Sequence, residues 1–198
     1  MIKFDNPCLD RPYLVFKEKY NESLIAKQDN IEAICISSYS PKNNEVNARY
    51  VNLKFVDDKQ FIFFSNYNSP KSIEFNQHEQ ITASIYWSRT NVQIRMKAYI
   101  KKTSKEFNQD YFVKRDEKKN ALAISSYQSS PIDSYEMLQK NYEICLKKNN
   151  LNECPDYWGG YSFTPYYFEF WEGHKSRLNK REAYKFQNDE WIHSFLQA

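Results

Sequence analysis

Residues able to handle a flat, negatively charged molecule gather near the C-terminal end of the sequence. Trp158-Gly159-Gly160 is followed by Phe168-Glu169-Phe170-Trp171-Glu172-Gly173 and then by Arg177-Leu178-Asn179-Lys180-Arg181, which puts two tryptophans, two arginines and all three glycines in one stretch. An aromatic wall beside fixed cations suits a planar anion. Aromatic residues alternating with others from Tyr166 to Glu172 predict a half-buried strand, and Gly173 a turn that brings the arginines to one end of the sheet. Taken singly, Trp171 reads as core and the arginines as surface; the grouping is what points to a ligand.

Other cations fall where an anion could meet them. Ala48 to Val56 alternates with period two, so Arg49 shares a face with Val51, Leu53 and Phe55, while Tyr50, Asn52 and Lys54 share the other. A cation on an apolar face meets a carboxylate, awaits an anion or reaches solvent at the strand end. Lys71 opens a short helix predicted to Asn76, whose first turn offers free N–H groups beside an ammonium. Thr103-Ser104 can cap a helix through Arg115 that sets Phe107, Tyr111 and Arg115 at steps of four.

Several chemistries are excluded. With glycine only at 159, 160 and 173, there is no G-x-G-x-x-G fingerprint and no phosphate loop, so a nucleotide must be held by side chains. His78, His174 and His193 show no metal-ligand spacing, and no serine sits in a nucleophile elbow. Cys8, Cys35, Cys145 and Cys154 are scattered, which predicts free thiols and no metal site. The 28 basic and 25 acidic residues are interspersed, giving a net charge of +3 without the basic stripe that nucleic acid needs. No apolar run is long enough to span a bilayer and no leader is evident, so a cytoplasmic protein is expected.

The elements that must position these residues are mostly strands. Aromatic residues make up 17% of the 198-residue chain, against 3 Gly, which favours a sheet-rich α+β fold in a single domain, 1–198. Helices are predicted over Tyr13–Lys27 and Ser134–Lys148. Strands are predicted over Ala33–Ile36, Ala48–Val56, Phe61–Ser65, Ile81–Trp87 and Val92–Ile100, and a last hairpin over Glu182–Phe186 and Glu190–Phe195, turning at Asn188-Asp189. Lys114 to Lys119 reads as a charged connection and Ala121 to Ser126 as a short helix or turn. An exposed aromatic strand from Tyr161 to Trp171 would call for a partner subunit.

Taken together, Arg49-Tyr50-Val51-Asn52-Leu53-Lys54, Phe64-Ser65-Asn66, Ser69-Pro70-Lys71, Gln93, Gln128-Ser129-Ser130, Trp158-Gly159-Gly160, Glu169-Phe170-Trp171 and Arg177-Leu178-Asn179-Lys180-Arg181 resemble the pyridoxamine 5'-phosphate oxidase family in order and spacing along nearly the whole chain. The resemblance implies an antiparallel, Greek-key split β-barrel that binds FMN, with peripheral helices and a dimerisation and substrate segment over about 155–198. It further implies a homodimer with two FMN sites at the subunit interface. The implied reaction oxidises pyridoxine or pyridoxamine 5'-phosphate to pyridoxal 5'-phosphate, with hydride passing to the flavin and O2 reoxidising it to give H2O2.

Carried over position by position, FMN contacts fall on Arg49, Tyr50, Val51, Asn52, Leu53, Lys54, Phe64, Ser65, Lys71, Gln93, Gln128, Ser129, Trp171 and Arg181. The substrate phosphate falls to Lys54, Tyr111 and Arg115, and the substrate ring to Arg177, the catalytic arginine. Three positions depart from the family pattern: Pro70 replaces a second phosphate-binding arginine, Lys119 a serine at the substrate phosphate, and Asn179 a histidine two residues after Arg177. Lys119 and Asn179 stay in the substrate set. The departures leave two other readings, a phenazine-biosynthesis type of oxidase acting on another reduced ring, and a non-catalytic flavin- or haem-binding split barrel.

Overall fold

The structure, a computed structural model, describes residues 1–148 and 150–198. In chain order its elements are β1 (Lys3–Pro7), α1 (Arg11–Ile25), β2 (Ala33–Ser40), β3 (Glu45–Asp58), β4 (Gln60–Asn66), α2 (Pro70–Gln77), β5 (Gln80–Trp87), β6 (Val92–Lys102), α3 (Lys105–Val113), α4 (Glu117–Ser125), α5 (Tyr135–Lys148), β7 (Trp158–Glu172), β8 (Lys180–Gln187) and β9 (Glu190–Phe195). Neighbours in the sheet run β1-β3-β2-β5-β6-β7-β8-β9, and β4 pairs with both β3 and β7. That double pairing closes β3, β2, β5, β6, β7 and β4 into a ring, a barrel with β8 and β9 extending from one side.

Period-two alternation fills this ring. Ile94, Met96 and Ala98 of β6 are fully buried, as are Phe163 and Phe168 of β7 and Leu53 of β3. Phe61 of β4 stacks on Phe163 with centroids 5.2 Å apart, and Phe16 of α1 meets Phe61 edge-on at 4.9 Å. Such pairs are favoured beyond the area they bury. A satellite cluster of Ala121, Cys145 and Leu151 holds α4 to α5, with Tyr142 and Leu146 packed against it.

The structure corrects several expectations. β1, absent from the sequence reading, pairs in parallel with β3, from Lys3 opposite Phe55. The face shared by Arg49, Val51 and Leu53 does not extend to Phe55. A register shift between Leu53 and Phe55 sends Val56 into the core instead, as a bulge does when it inserts one residue into a ladder. Helix α1 spans Arg11–Ile25, two residues earlier than expected, and Lys27 beyond it takes a left-handed φ of 56° that ends the helix. Helix α3 stops at Val113, short of Arg115, and α4 starts inside the expected connection because Asp116 accepts from the Lys119 N–H at 3.2 Å.

Strand β7 runs the full Trp158–Glu172, and its aromatics Tyr161, Phe163, Phe168 and Phe170 are buried within the chain rather than exposed. Exposed aromatics lie elsewhere, among them Tyr50, Tyr86, Tyr99 and Tyr127. Gly173 does not take a positive φ; the left-handed residue after β7 is Arg177, at 62°. Gly173 sits in a crowded place, since a Cβ there would lie 2.0 Å from Asn91 Nδ2 and 2.8 Å from Trp171 Cη2, so that both side chains would have to shift. Among the described residues no helix is long and apolar enough to cross a membrane.

Candidate active site

Helix α2 and strand β3 together build a cation pair at one end of a cavity of about 380 Å³. Ser69 stands at the N-cap of α2, its hydroxyl donating to the Asn66 carbonyl at 2.7 Å, and Pro70 occupies the first turn, which places Lys71 against β4. Lys71 is 6% exposed, and its ammonium donates to Ser65 Oγ and Ser69 Oγ, each at 3.0 Å, with no carboxylate in reach of a salt bridge among the described residues. Burial, with Arg49 nearby, pushes its pKa down to about 8. Arg49 is different. It donates to Glu74 Oε2 at 3.0 Å, to Ser38 Oγ at 2.6 Å and to the Ile36 carbonyl at 3.3 Å. The carboxylate alternative for Arg49 is therefore realised inside the protein, by a Glu74 that is itself buried and held also by Asn47 at 2.9 Å.

The same cavity is lined by Lys54, Tyr111 and Arg115, which bring a second group of cations. Burial lowers the pKa of Lys54, Glu32 at 3.8 Å opposes this, and Lys119 and Arg115 reinforce it. The Arg115 guanidinium lies 4.8 Å from the Trp158 ring centroid and donates to the Lys119 carbonyl at 3.0 Å. Burial lowers its pKa too. Although α3 ends before Arg115, the turn that follows, closed by the Arg115 N–H on the Phe112 carbonyl at 3.1 Å, keeps Arg115 beside Tyr111. Between the cation groups Tyr111 stacks on Phe64, which stacks in turn on Trp158 with centroids 5.1 Å apart.

The loop after α4 completes the lining with Gln128 and Ser129. Gln128 Oε1 accepts from Ser65 Oγ and from the Asn66 N–H, both at 3.2 Å, which ties the loop to the end of β4. Ser129 is left-handed, with φ 68°. Tyr50, Val51 and Asn52 also line the cavity, whereas the Leu53 side chain is fully buried in the core, and Lys119 lines an adjoining cavity that shares Arg115 and Gln128.

The remaining sequence-derived site residues stand apart. Gln93, Trp171 and Arg181 are register partners across β6, β7 and β8. Arg177 and Asn179 belong to the loop that follows β7. None of these five lines the cavity of Lys71 and Arg115. Arg181 is committed to Glu169, which accepts from its Nη2 at 2.7 Å, from Tyr167 Oη at 3.0 Å and from Arg95. Burial raises the Glu169 pKa, but these hydrogen bonds outweigh it and hold the carboxyl below its usual value. Glu74, Glu32 and Glu169, which pair with Arg49, Lys54 and Arg181, have no feature in the sequence that marks them as partners. A signal existed for one partner of Arg49: Ile34, Ile36, Ser38 and Ser40 form the inward stripe of β2, so Ser38 was placed to meet a group inside.

The chain is 34% identical over 167 residues to the pyridoxine/pyridoxamine 5'-phosphate oxidase of Vesicomyosocius okutanii, covering 83% of this chain and 79% of that one. It is 31% identical over 190 residues to the oxidase of the same name from Haemophilus influenzae, covering 96% and 90%. The chain belongs to the pyridoxine/pyridoxamine 5'-phosphate oxidase family. Residues 158–198 match the family model described as the pyridoxine 5'-phosphate oxidase C-terminal dimerisation region, which begins at the first residue of β7.

Membership makes the chain an enzyme, and its ring of strands is the split-barrel fold of that family. The fold is shared with PhzG from Burkholderia lata 383, solved in complex with tetrahydrophenazine-1-carboxylic acid (TM-score 0.87, 22% identity, 94% of this chain and 92% of that one). It is shared also with a pyridoxamine 5'-phosphate oxidase-related, FMN-binding protein of Nostoc punctiforme (TM-score 0.74, 14% identity, 95% and 96%).

Proposed function

We propose that this enzyme oxidises pyridoxine 5'-phosphate, or pyridoxamine 5'-phosphate with uptake of water and release of ammonia, to pyridoxal 5'-phosphate with bound FMN, consuming O2 and releasing H2O2, as a homodimer. The observation that carries the reading is the pair of cation groups, Lys71 with Arg49 and Lys54 with Arg115, on one aromatic-lined cavity. A buried ammonium with only hydroxyl partners is suited to an anion, and two groups suit two phosphates. FMN fits the first group, since Lys71, Ser65 and Ser129 supply cation and donors and Arg49 remains at the cavity wall although Glu74 engages it.

When bound, FMN supplies the two-electron acceptor for oxidation at the substrate C4' carbon. The chain's own residues bind and orient. Lys54, Tyr111 and Arg115, with Lys119 at the adjoining cavity, hold the substrate phosphate, and Arg177 holds the ring against the flavin with Asn179 beside it. Gln93, Trp171 and Arg181 complete the flavin's surroundings from the second copy, because they do not line the cavity of their own chain. No protein nucleophile is required. The exposed Tyr50, Tyr86 and Tyr99 would be covered in the dimer. Four unpaired cysteines agree with a cytoplasmic location.

Anaerobic mixing of FMN-loaded protein with each phosphate tests the reading, followed as loss of the yellow colour. Bleaching by either compound is the expected result. Flavin that stays oxidised with both, but bleaches with a reduced phenazine carboxylate, would move the enzyme to the phenazine type; flavin inert to all three would leave a binding protein.

A further inference from the structure

We infer that Asn179 is a positioning residue for Arg177, bracing the β7–β8 loop so that the backbone at Arg177, and with it the direction in which the side chain leaves the loop, is fixed. The inference deepens the proposed function, because it rests on Arg177 as the arginine that meets the substrate ring.

The loop Gly173 to Asn179 is closed by its own polar groups. The half-buried Asn179 side chain accepts from the His174 N–H through Oδ1 at 3.0 Å, which joins the two ends of the loop. Inside that closure the Arg177 N–H donates to the His174 carbonyl at 2.9 Å, and His174 Nδ1 pairs with Ser176 Oγ at 2.6 Å. The entry is pinned as well, since the Gly173 N–H donates to the Asn91 carbonyl at 3.0 Å in the β5–β6 turn.

Arg177 takes a φ of 62° at the apex. A residue with a Cβ adopts that conformation at a steric cost and keeps it only where the surroundings over-determine it. The bond from Asn179 and the turn on the His174 carbonyl supply that constraint. An arginine on a free loop would sample many directions; one on a closed loop is pre-organised, and small misplacements of an orienting group cost rate heavily. Asn179 thereby has an assignment that does not require it to touch substrate: its amide oxygen is used within the loop.

The test compares Asn179→Leu, which keeps the volume but removes the acceptor, with Asn179→Asp, which keeps an acceptor. Each FMN-loaded dimer is assayed for anaerobic flavin bleaching by pyridoxine 5'-phosphate and for trypsin cleavage after the exposed Lys175 and Arg177. Asn179→Leu is expected to slow bleaching about tenfold or more, leave KM within about twofold because the phosphate grip is elsewhere, and speed nicking about tenfold. Its flavin content and Tm should match the parent, and Asn179→Asp should restore both readouts. Parent-like bleaching and nicking in Asn179→Leu, or equal impairment in Asn179→Asp, would overturn the inference. If the parent protein itself fails to bleach while nicking responds as stated, the substrate reading falls and the brace stands.

Discussion

Arg49 and Glu74 form an ion pair at the edge of the cavity, Nη2 to Oε2 at 3.0 Å, with side chains only 21% and 8% exposed. Removing the arginine therefore does two things. Arg49→Ala should weaken FMN binding, and it should also strand a buried carboxylate, lowering the stability of the flavin-free protein by about 3 kcal/mol. Adding Glu74→Gln to Arg49→Ala should recover most of that stability in urea unfolding but not the flavin affinity. Recovery of both would mean that Arg49 serves the fold alone.

Lys71 sets a pH dependence. Its pKa near 8 in the flavin-free protein must rise when a phosphate is bound, so its contribution to affinity is whole below pH 8 and is lost progressively above it, up to the raised pKa of the bound state. Fluorescence titration should show the FMN Kd rising from pH 7.5 to 9.5, and Lys71→Arg should flatten the rise. Folding stability of the flavin-free protein changes in the opposite sense. The unfolded chain keeps the proton up to about pH 10.4, so this lysine's penalty is relieved between pH 8 and that point.

If the site is shared between copies as proposed, with Arg177 reaching the cavity of the other chain alongside Trp171 and Arg181, subunits should complement one another. Lys71→Met subunits would lose the flavin phosphate grip, and Arg177→Ala subunits the ring contact. Mixed at random in a two-fold dimer, they should recover about a quarter of the active sites, because each heterodimer holds one intact combination. Turnover no higher than the sum of the two separate variants would place both residues in the same copy's site.

Gly159 is fixed by crowding. A Cβ there would lie 2.2 Å from Tyr67 Oη and 2.3 Å from Asn108 Nδ2, two groups that hydrogen-bond to each other at 3.0 Å and fix the neighbouring Gly160. Gly159→Ala should cost about 2 kcal/mol in unfolding experiments, with wild-type FMN affinity per folded molecule.

What could be read from the sequence was local. The alternation from Val92 to Ile100 and the last hairpin appear as expected, the latter turning at Asn188 and Asp189 with φ of 51° and 64°. So does the helix that opens at Lys71, because propensity and period act over a few residues. The pairing of β1 with β3 and the bulge after Leu53 depend on strands distant in sequence, which no local period encodes. The same holds for charge partners. Arg49 was recognisable as a cation in need of an anion, but Glu74 lies 25 residues away and Glu169 lies 74 residues from Arg95, so only the fold reveals them.

Strand β7 also acts as a ruler. Trp158 at its start stacks behind the cavity's aromatic wall, while Trp171, one residue before its end, leads into the Arg177 loop. At about 3.3 Å per residue, those two tryptophans are separated by on the order of 40 Å along the strand. One chain thus delivers its two sets of ligand-handling residues to places too far apart for a single small molecule to touch both. If two copies associate so that each cavity meets the other's Trp171 end, every site draws on both chains, and changes at the two ends of one β7 fall in two different sites.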